Sequence, residues 1–324
     1  MRSVDFFRKE FVAHLENKVT TKEPTNLYEP ITYILSLGGK RLRPVLTLLA
    51  TDLFEGDFRL SLDAALAIEV FHNFSLIHDD IMDDAPLRRG HKTVHEKWDT
   101  NTGILSGDAM LILSYQLLEN YDGDTLKALF QLFNKTSLEV CEGQQYDIDF
   151  ETRTNVTIDE YLKMIAYKTA VLVASAMKMG AIIAQTTKEN QELIYEFGLN
   201  LGVAFQLQDD YLDAFGDPKT FGKQLGGDII ENKKTFLYLK SLELGNSTMK
   251  SELLNLYSLQ PAKPDVKIAA VKAIFEETGA VAETKSQIEK YTHNAFKALD
   301  RLQVSEEGKN ALRVFGESLM QRKV

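Results

Sequence analysis

The chain has 324 residues, 44% hydrophobic and 26% charged, a balance typical of folded globular proteins rather than disordered chains. Its 37 Lys and Arg stand against 47 Asp and Glu, and a net charge of −10 argues against a nucleic-acid binder. One cysteine, Cys141, excludes an intramolecular disulfide framework and a multi-cysteine zinc site, and seven prolines with 19 glycines are few for the turns of an all-β fold.

Apolar residues recur with a 3.6-residue period along most of the chain. The first ten residues carry no apolar core of signal-peptide type. Helices are expected over 4–19, 26–36 and 41–54, then from Leu62 through His72 to about Asp84. Further helices fit 103–121 and a run from Leu126 toward Phe150. Thr157 and Glu160 have capping-box spacing, and a long helix follows to about Gln185. Its most apolar part, Ala170 to Ala184, is interrupted by Lys178 and falls short of the ~20 apolar residues of a membrane span, so it reads as a core helix. A helix from about Asn190 through Leu212 and others over 235–243, 263–277, 279–302 and 305–320 complete the chain. No alternating strand pattern stands out, and no linker divides the sequence. The expectation is one all-α domain over 1–324, a helical bundle in several layers, soluble and cytoplasmic.

Two acidic clusters share one spacing: Asp79-Asp80-Ile81-Met82-Asp83 and Asp209-Asp210-Tyr211-Leu212-Asp213. On a helix each D-D-x-x-D triplet projects its carboxylates from one face. Folding gains nothing from this, because like charges at i, i+4 cost roughly 0.2–0.5 kcal/mol per pair. Pro86 and Pro218 follow closely, so both clusters lie near helix C-termini, where the dipole opposes carboxylates by roughly 0.3–1 kcal/mol each. Apolar residues lead in (Phe74, Leu76, Ile77; Phe205, Leu207), so the carboxylates stand at the mouth of an apolar space and call for cations. Neither cluster has the EF-hand pattern, and oxygen-only ligands on helices suit Mg²⁺ with phosphate.

Basic residues accompany them. Gly38-Gly39-Lys40-Arg41-Leu42-Arg43-Pro44 sets three cations behind a glycine pair, and Arg88-Arg89-Gly90 follows the first cluster. Lys168-Thr169 lies within the long apolar helix, and Lys223, Lys233 and Lys234 follow the second cluster. Arginine forks match phosphate oxygens bidentately. Two acidic clusters and four basic sites in an all-helical chain read as a site for more than one diphosphate.

On the motifs GGKRLRP (38–44), HDDIMDDAPLRRG (78–90), YKTA (167–170) and QLQDDYLDAFGDP (206–218), the sequence closely resembles the trans-polyprenyl diphosphate synthases. The resemblance implies an all-α isoprenoid-synthase fold with a central apolar cavity, a homodimer, and three Mg²⁺ ions per site. It assigns Asp79, Asp80, Asp83, Asp209, Asp210 and Asp213 to metal. Arg88, Lys168 and Lys223 fall to the allylic diphosphate, with Thr169 and Gln206 near the reacting end, and Lys233 is a further diphosphate contact. Lys40, Arg43, His72 and Arg89 fall to isopentenyl diphosphate. The spacer between Lys223 and Asp228 is one residue longer than in some relatives, which puts a metal-supporting role for Asp228 in question.

The implied reaction is Mg²⁺-assisted ionisation of the allylic diphosphate, with Asp79, Asp80, Asp83, Asp209, Asp210, Arg88 and Lys168 as the catalytic set, followed by attack of the isopentenyl double bond. Phe74, five residues before Asp79 and roughly 7.5 Å along the axis, is the expected floor for the growing chain. Ser75 is too small to block it, and Phe71 backs the floor one turn deeper. This pattern resembles the geranylgeranyl (C20) type, with a farnesyl (C15) synthase as the alternative. A class I terpene cyclase and a non-catalytic subunit are more distant readings, because the second D-D-x-x-D is intact and two diphosphates are provided for.

Overall fold

The computed structural model describes residues 2–217, 225–259 and 264–320. Its first helices are α1 (Val4–Lys18), α2 (Thr25–Ser36), α3 (Leu42–Leu53) and α4 (Leu62–Met82), then a short α5 (Val94–Lys97), α6 (Thr100–Leu118) and α7 (Gly123–Thr152). Next come α8 (Ile158–Ile165), a π-helical turn (Ala166–Ala170), α9 (Val171–Ile183) and α10 (Lys188–Phe215). The chain continues through α11 (Gly227–Ile230), α12 (Phe236–Leu244), α13 (Ser247–Leu256), α14 (Pro264–Glu277), α15 (Ala280–Arg301) and α16 (Glu306–Met320). The all-α expectation holds.

Local chemistry explains several boundaries. Ser3 Oγ accepts from the Phe6 N–H at the start of α1, and Asp99 does the same for Thr102 at the start of α6. The capping box forms as its spacing predicts: Glu160 N–H donates to Thr157 Oγ1 at 3.3 Å and Thr157 N–H to Glu160 Oε2 at 2.9 Å. Besides the one-turn helices α5 and α11, other features were not legible. Helix α13 is a short helix whose local start signal is Asn246, which caps the Thr248 and Met249 N–H groups. A hairpin of two-residue strands, β1 (Leu87–Arg88) and β2 (His91–Lys92), is too short to alternate visibly. Its turn residues Arg89 and Gly90 have φ of 53° and 78°, the type I′ pattern that matches strand twist. The long helix after Thr157 is also interrupted by its π turn.

The chain forms two compact units, Met1–Thr136 with Ser175–Tyr195, and Ser137–Ala174 with Glu196–Val324. In the first, α4 is buried on nearly every side from Ala64 to Phe71, as expected of a helix apolar all round. Gly103 and Gly107 of α6 permit its close approach: a Cβ at Gly107 would lie 2.3 Å from His78 Nε2, and one at Gly103 2.9 Å from Ile81 Cδ1. In the second, Phe150, Tyr161, Leu207, Phe236, Leu253 and Phe275 share one apolar core. Among the described residues two stretches are long and apolar enough to cross a membrane, Phe58–Met82 and Ile158–Ile183, but their most apolar windows are 67% and 72% buried within the protein.

Candidate active site

In the first unit, α4 ends in a Schellman turn just where the acidic cluster lies. Asp83 is its C-cap, Asp84 takes the left-handed conformation (φ 49°), and the Ala85 N–H donates to the Asp80 carbonyl at 2.9 Å. Asp79, Asp80 and Asp83 therefore remain on one helical turn. The chain then enters the hairpin, which returns Arg88 to the cluster. Arg88 Nε donates to Asp80 Oδ1 at 2.9 Å, and its Nη2 lies 3.7 Å from Asp79 Oδ2. Asp80 is 1% exposed. Burial pushes its carboxyl above the usual range, against the pull of Arg88.

The next residue, Arg89, donates to the Gly38 carbonyl. Gly39, at φ 119°, leaves room for it, since a Cβ there would lie 3.0 Å from the Arg89 guanidinium carbon. Arg43 Nη1 lies 3.2 Å from His72 Nε2. Burial, then Arg43, Arg89, Arg88 and Arg41, hold the His72 imidazole well below its usual range, so it accepts from Arg43 as a neutral ring. Lys40 is exposed. Arg41 takes no place among these side chains; it is buried on Glu69 and the Leu35 carbonyl.

Below the acidic cluster, the Phe74 ring packs on His78 at 4.8 Å and on Phe71 at 5.4 Å. Phe71 in turn meets Phe133, and Phe133 meets Tyr115, at 5.3 and 4.9 Å. Phe71 thus lies behind Phe74. Phe133 and Tyr115 extend the stack from other helices, a juxtaposition that sequence spacing cannot reveal. The half-buried Ser75 donates to the His72 carbonyl.

In the second unit a cavity of about 130 Å³ is lined by Lys168, Thr169, Gln206, Asp210 and Lys233, together with Asp147, Tyr161, Asp228 and Lys234. The π turn presents Lys168 and Thr169, a common use of a π turn inside an α-helix. Two glycines press against it: a Cβ on Gly143 would lie 2.2 Å from the Lys168 nitrogen, and one on Gly202 2.8 Å from Ala170 Cα. Lys168 Nζ donates to Asp147 Oδ2 at 2.5 Å, and Thr169 Oγ1 to Gln206 Oε1 at 3.3 Å. Gln206 Nε2 donates to Asp210 Oδ1 at 2.8 Å, and the Tyr161 hydroxyl donates to its other oxygen. Asp213 accepts the Asp228 N–H at 3.0 Å. Asp209, Asp210 and Asp213 all lie in the last two turns of α10.

Burial drives Asp210 up to about 7. Burial, then Asp210 and Asp213, drive Asp228 up to about 8. Burial works to lower Lys233, but Asp228 and Glu231 outweigh it and push its ammonium above the usual range. Asp228, whose role was in question, therefore sits in this carboxylate group. Asp147 and Tyr161 were missed because nothing in the sequence marks a lysine's or a carboxylate's partner 21 or 49 positions away. Lys223 lies outside the described residues.

Among the described residues no three His, Cys, Asp or Glu side chains already close on a metal-sized space, because Asp80 and Asp210 point to protein donors. The donor chemistry nevertheless suits a hard cation: all-oxygen, carboxylate-rich, and in Asp80 and Asp210 carrying charge that burial resists.

The family model for polyprenyl synthetase matches residues 24–274. A geranylgeranyl diphosphate synthase of Methanosarcina mazei is 36% identical over 90% of this chain and 88% of its own. A geranylfarnesyl diphosphate synthase of Natronomonas pharaonis is 37% identical over 85% and 84%. A crystal structure of a geranylgeranyl pyrophosphate synthase superposes with a TM-score of 0.96 at 53% identity, over 100% of both chains.

Proposed function

The chain belongs to the polyprenyl synthetase family, and from that premise we propose that it condenses isopentenyl diphosphate head-to-tail with allylic diphosphates and releases the C20 product, geranylgeranyl diphosphate. The observation that carries this reading is the pairing of each helix-end carboxylate cluster with its own diphosphate-matching cations: Arg88 beside Asp80, and Lys168 and Lys233 in the cavity of Asp210.

Asp79, Asp80 and Asp83, with Asp209, Asp210 and Asp213, would hold Mg²⁺. When bound, Mg²⁺ supplies Lewis-acid neutralisation of the departing diphosphate. Arg88 exchanges Asp80 for phosphate oxygens and places guanidinium donors where negative charge develops. Lys168 does the same from the π turn, steered by Asp147. Thr169 and Gln206, bonded to each other, face the reacting end of the allylic chain. Lys40, Arg43, His72 and Arg89 hold isopentenyl diphosphate, with neutral His72 fixing the Arg43 fork. The sequence places no dedicated base here, and the departing diphosphate takes the proton. Apolar walls exclude the water that would quench the carbocation. Lys223 is assigned to the allylic diphosphate by its motif alone.

Phe74, backed by Phe71 and Phe133, sets the chain length. Exposed Leu105 and Ile112 on α6, 60% and 58% exposed, support a homodimer, and the lone exposed Cys141 suits a reducing cytoplasm.

The test is incubation with Mg²⁺, isopentenyl diphosphate and, separately, C5, C10 and C15 allylic diphosphates, followed by chain-length analysis of the dephosphorylated products. Chains that stop at C20, with the C15 starter accepted, are expected. A stop at C15 or at C25 keeps the chemistry and moves the floor, whereas cyclised hydrocarbons without condensation would reject the reading.

A further inference from the structure

One buried anion organises the basic cluster of the first unit. Glu69 is 3% exposed and lies on α4 one turn before His72 and Asn73. Arg41 Nη1 donates to its Oε1, and Arg41 Nη2 donates to the Leu35 carbonyl. Asn73 Nδ2 reaches back to the Glu69 carbonyl at 2.8 Å and to Oε1 at 3.3 Å. Arg41 itself is 7% exposed and sits in the left-handed region at φ 49°, immediately before α3. A residue with a Cβ holds that conformation only when its surroundings over-determine it. The turn separates Lys40 from Arg43, so its shape sets where both cations point. Burial works against the charge on Arg43 and Arg89, and Glu69 works to restore it in both.

We infer that Glu69 is the positioning residue of the isopentenyl diphosphate site: by pairing with Arg41 it locks the left-handed turn that aims Lys40 and Arg43, and its charge offsets the crowded arginines. This rests on the prenyltransferase reading above. With the carboxylate replaced by a neutral amide, Arg41 keeps acceptors in the amide oxygen and the Leu35 carbonyl but is a buried cation with no counter-charge, and it escapes to solvent as the turn relaxes. The allylic contacts at Lys168 and Thr169 share none of these bonds.

The experiment compares Glu69→Gln with the wild type, both substrates varied, alongside calorimetric titration with isopentenyl diphosphate, which needs no turnover. We expect a ten-fold or greater rise in KM and Kd for isopentenyl diphosphate and an allylic KM within two-fold. A second variant, Arg41→Met/Glu69→Leu, replaces the pair by apolar side chains and spares the fold the unpaired charge; it is expected to melt near the wild type yet keep the raised KM. An unchanged isopentenyl KM in Glu69→Gln, equal rises for both substrates, or a wild-type KM in the double variant would overturn the inference. Wild-type binding without condensation would count against the reaction while leaving the Glu69 comparison intact, and no wild-type binding overturns both.

Discussion

In the proposed reaction a single ring, Phe74, limits the product length. It is 8% exposed and pinned between His78 and Phe71, so it cannot swing aside at the cost of a single rotamer change. Phe74→Ala is expected to lengthen the product by at least one C5 unit, until the chain meets Phe71 and Phe133, and to lower stability by about 3–5 kcal/mol. An unchanged product spectrum would remove Phe74 as the floor.

Asp228 makes a different prediction at the same scale. Its carboxyl is held up to about 8 by burial and by Asp210 and Asp213. In the unfolded chain it ionises near 4. Between about pH 4 and pH 8 the folded protein therefore binds the extra proton, so this group makes metal-free stability fall as pH rises through that window. Asp228→Asn keeps the N–H that Asp213 accepts and removes the charge. The metal-free variant should melt a few degrees above the wild type at pH 8 and match it at pH 4. An equal difference at both pH values would assign the effect to something other than this carboxylate.

Among the elements, the π turn at Ala166–Ala170 is wedged by glycines of α7 and α10. Gly143 leaves no space for even a methyl group against the Lys168 backbone. Gly143→Ala should cost about 1–3 kcal/mol as α7 is forced away. It should also weaken the allylic substrate more than isopentenyl diphosphate, because Lys168 moves and the Arg43 site does not. Denaturant melts and paired KM measurements test both parts. The hairpin plays the corresponding role in the first unit. Arg88 ends the first strand and Arg89 begins the left-handed turn, so the hairpin sends Arg88 to Asp80 and Arg89 to Gly38.

For the whole molecule, α6 leaves Ile104, Leu105 and Ile112 at 41%, 60% and 58% exposure. Leu105 and Ile112 lie two turns apart on one face, and the proposed homodimer would cover them. On that proposal the wild type should sediment as a dimer, and a Leu105→Asp/Ile112→Asp variant as a monomer at the same concentration. Identical sedimentation would place any dimer contact elsewhere.

The helical class, most helix boundaries, and the two carboxylate clusters with their basic neighbours are written locally in the chain, because hydrophobic period, capping chemistry and i, i+4 spacing are all local. Lys168 likewise stands out locally as a cation in an apolar helix. Long-range packing settles that Arg41 is a buried structural cation while Arg43 meets His72, that Asp147 and Tyr161 hold Lys168 and Asp210, and that Phe133 backs Phe71. Each of these is a pairing across tens of residues. Which of several like-charged side chains is buried depends on which distant partner packing brings within hydrogen-bond reach, and no local spacing encodes that choice.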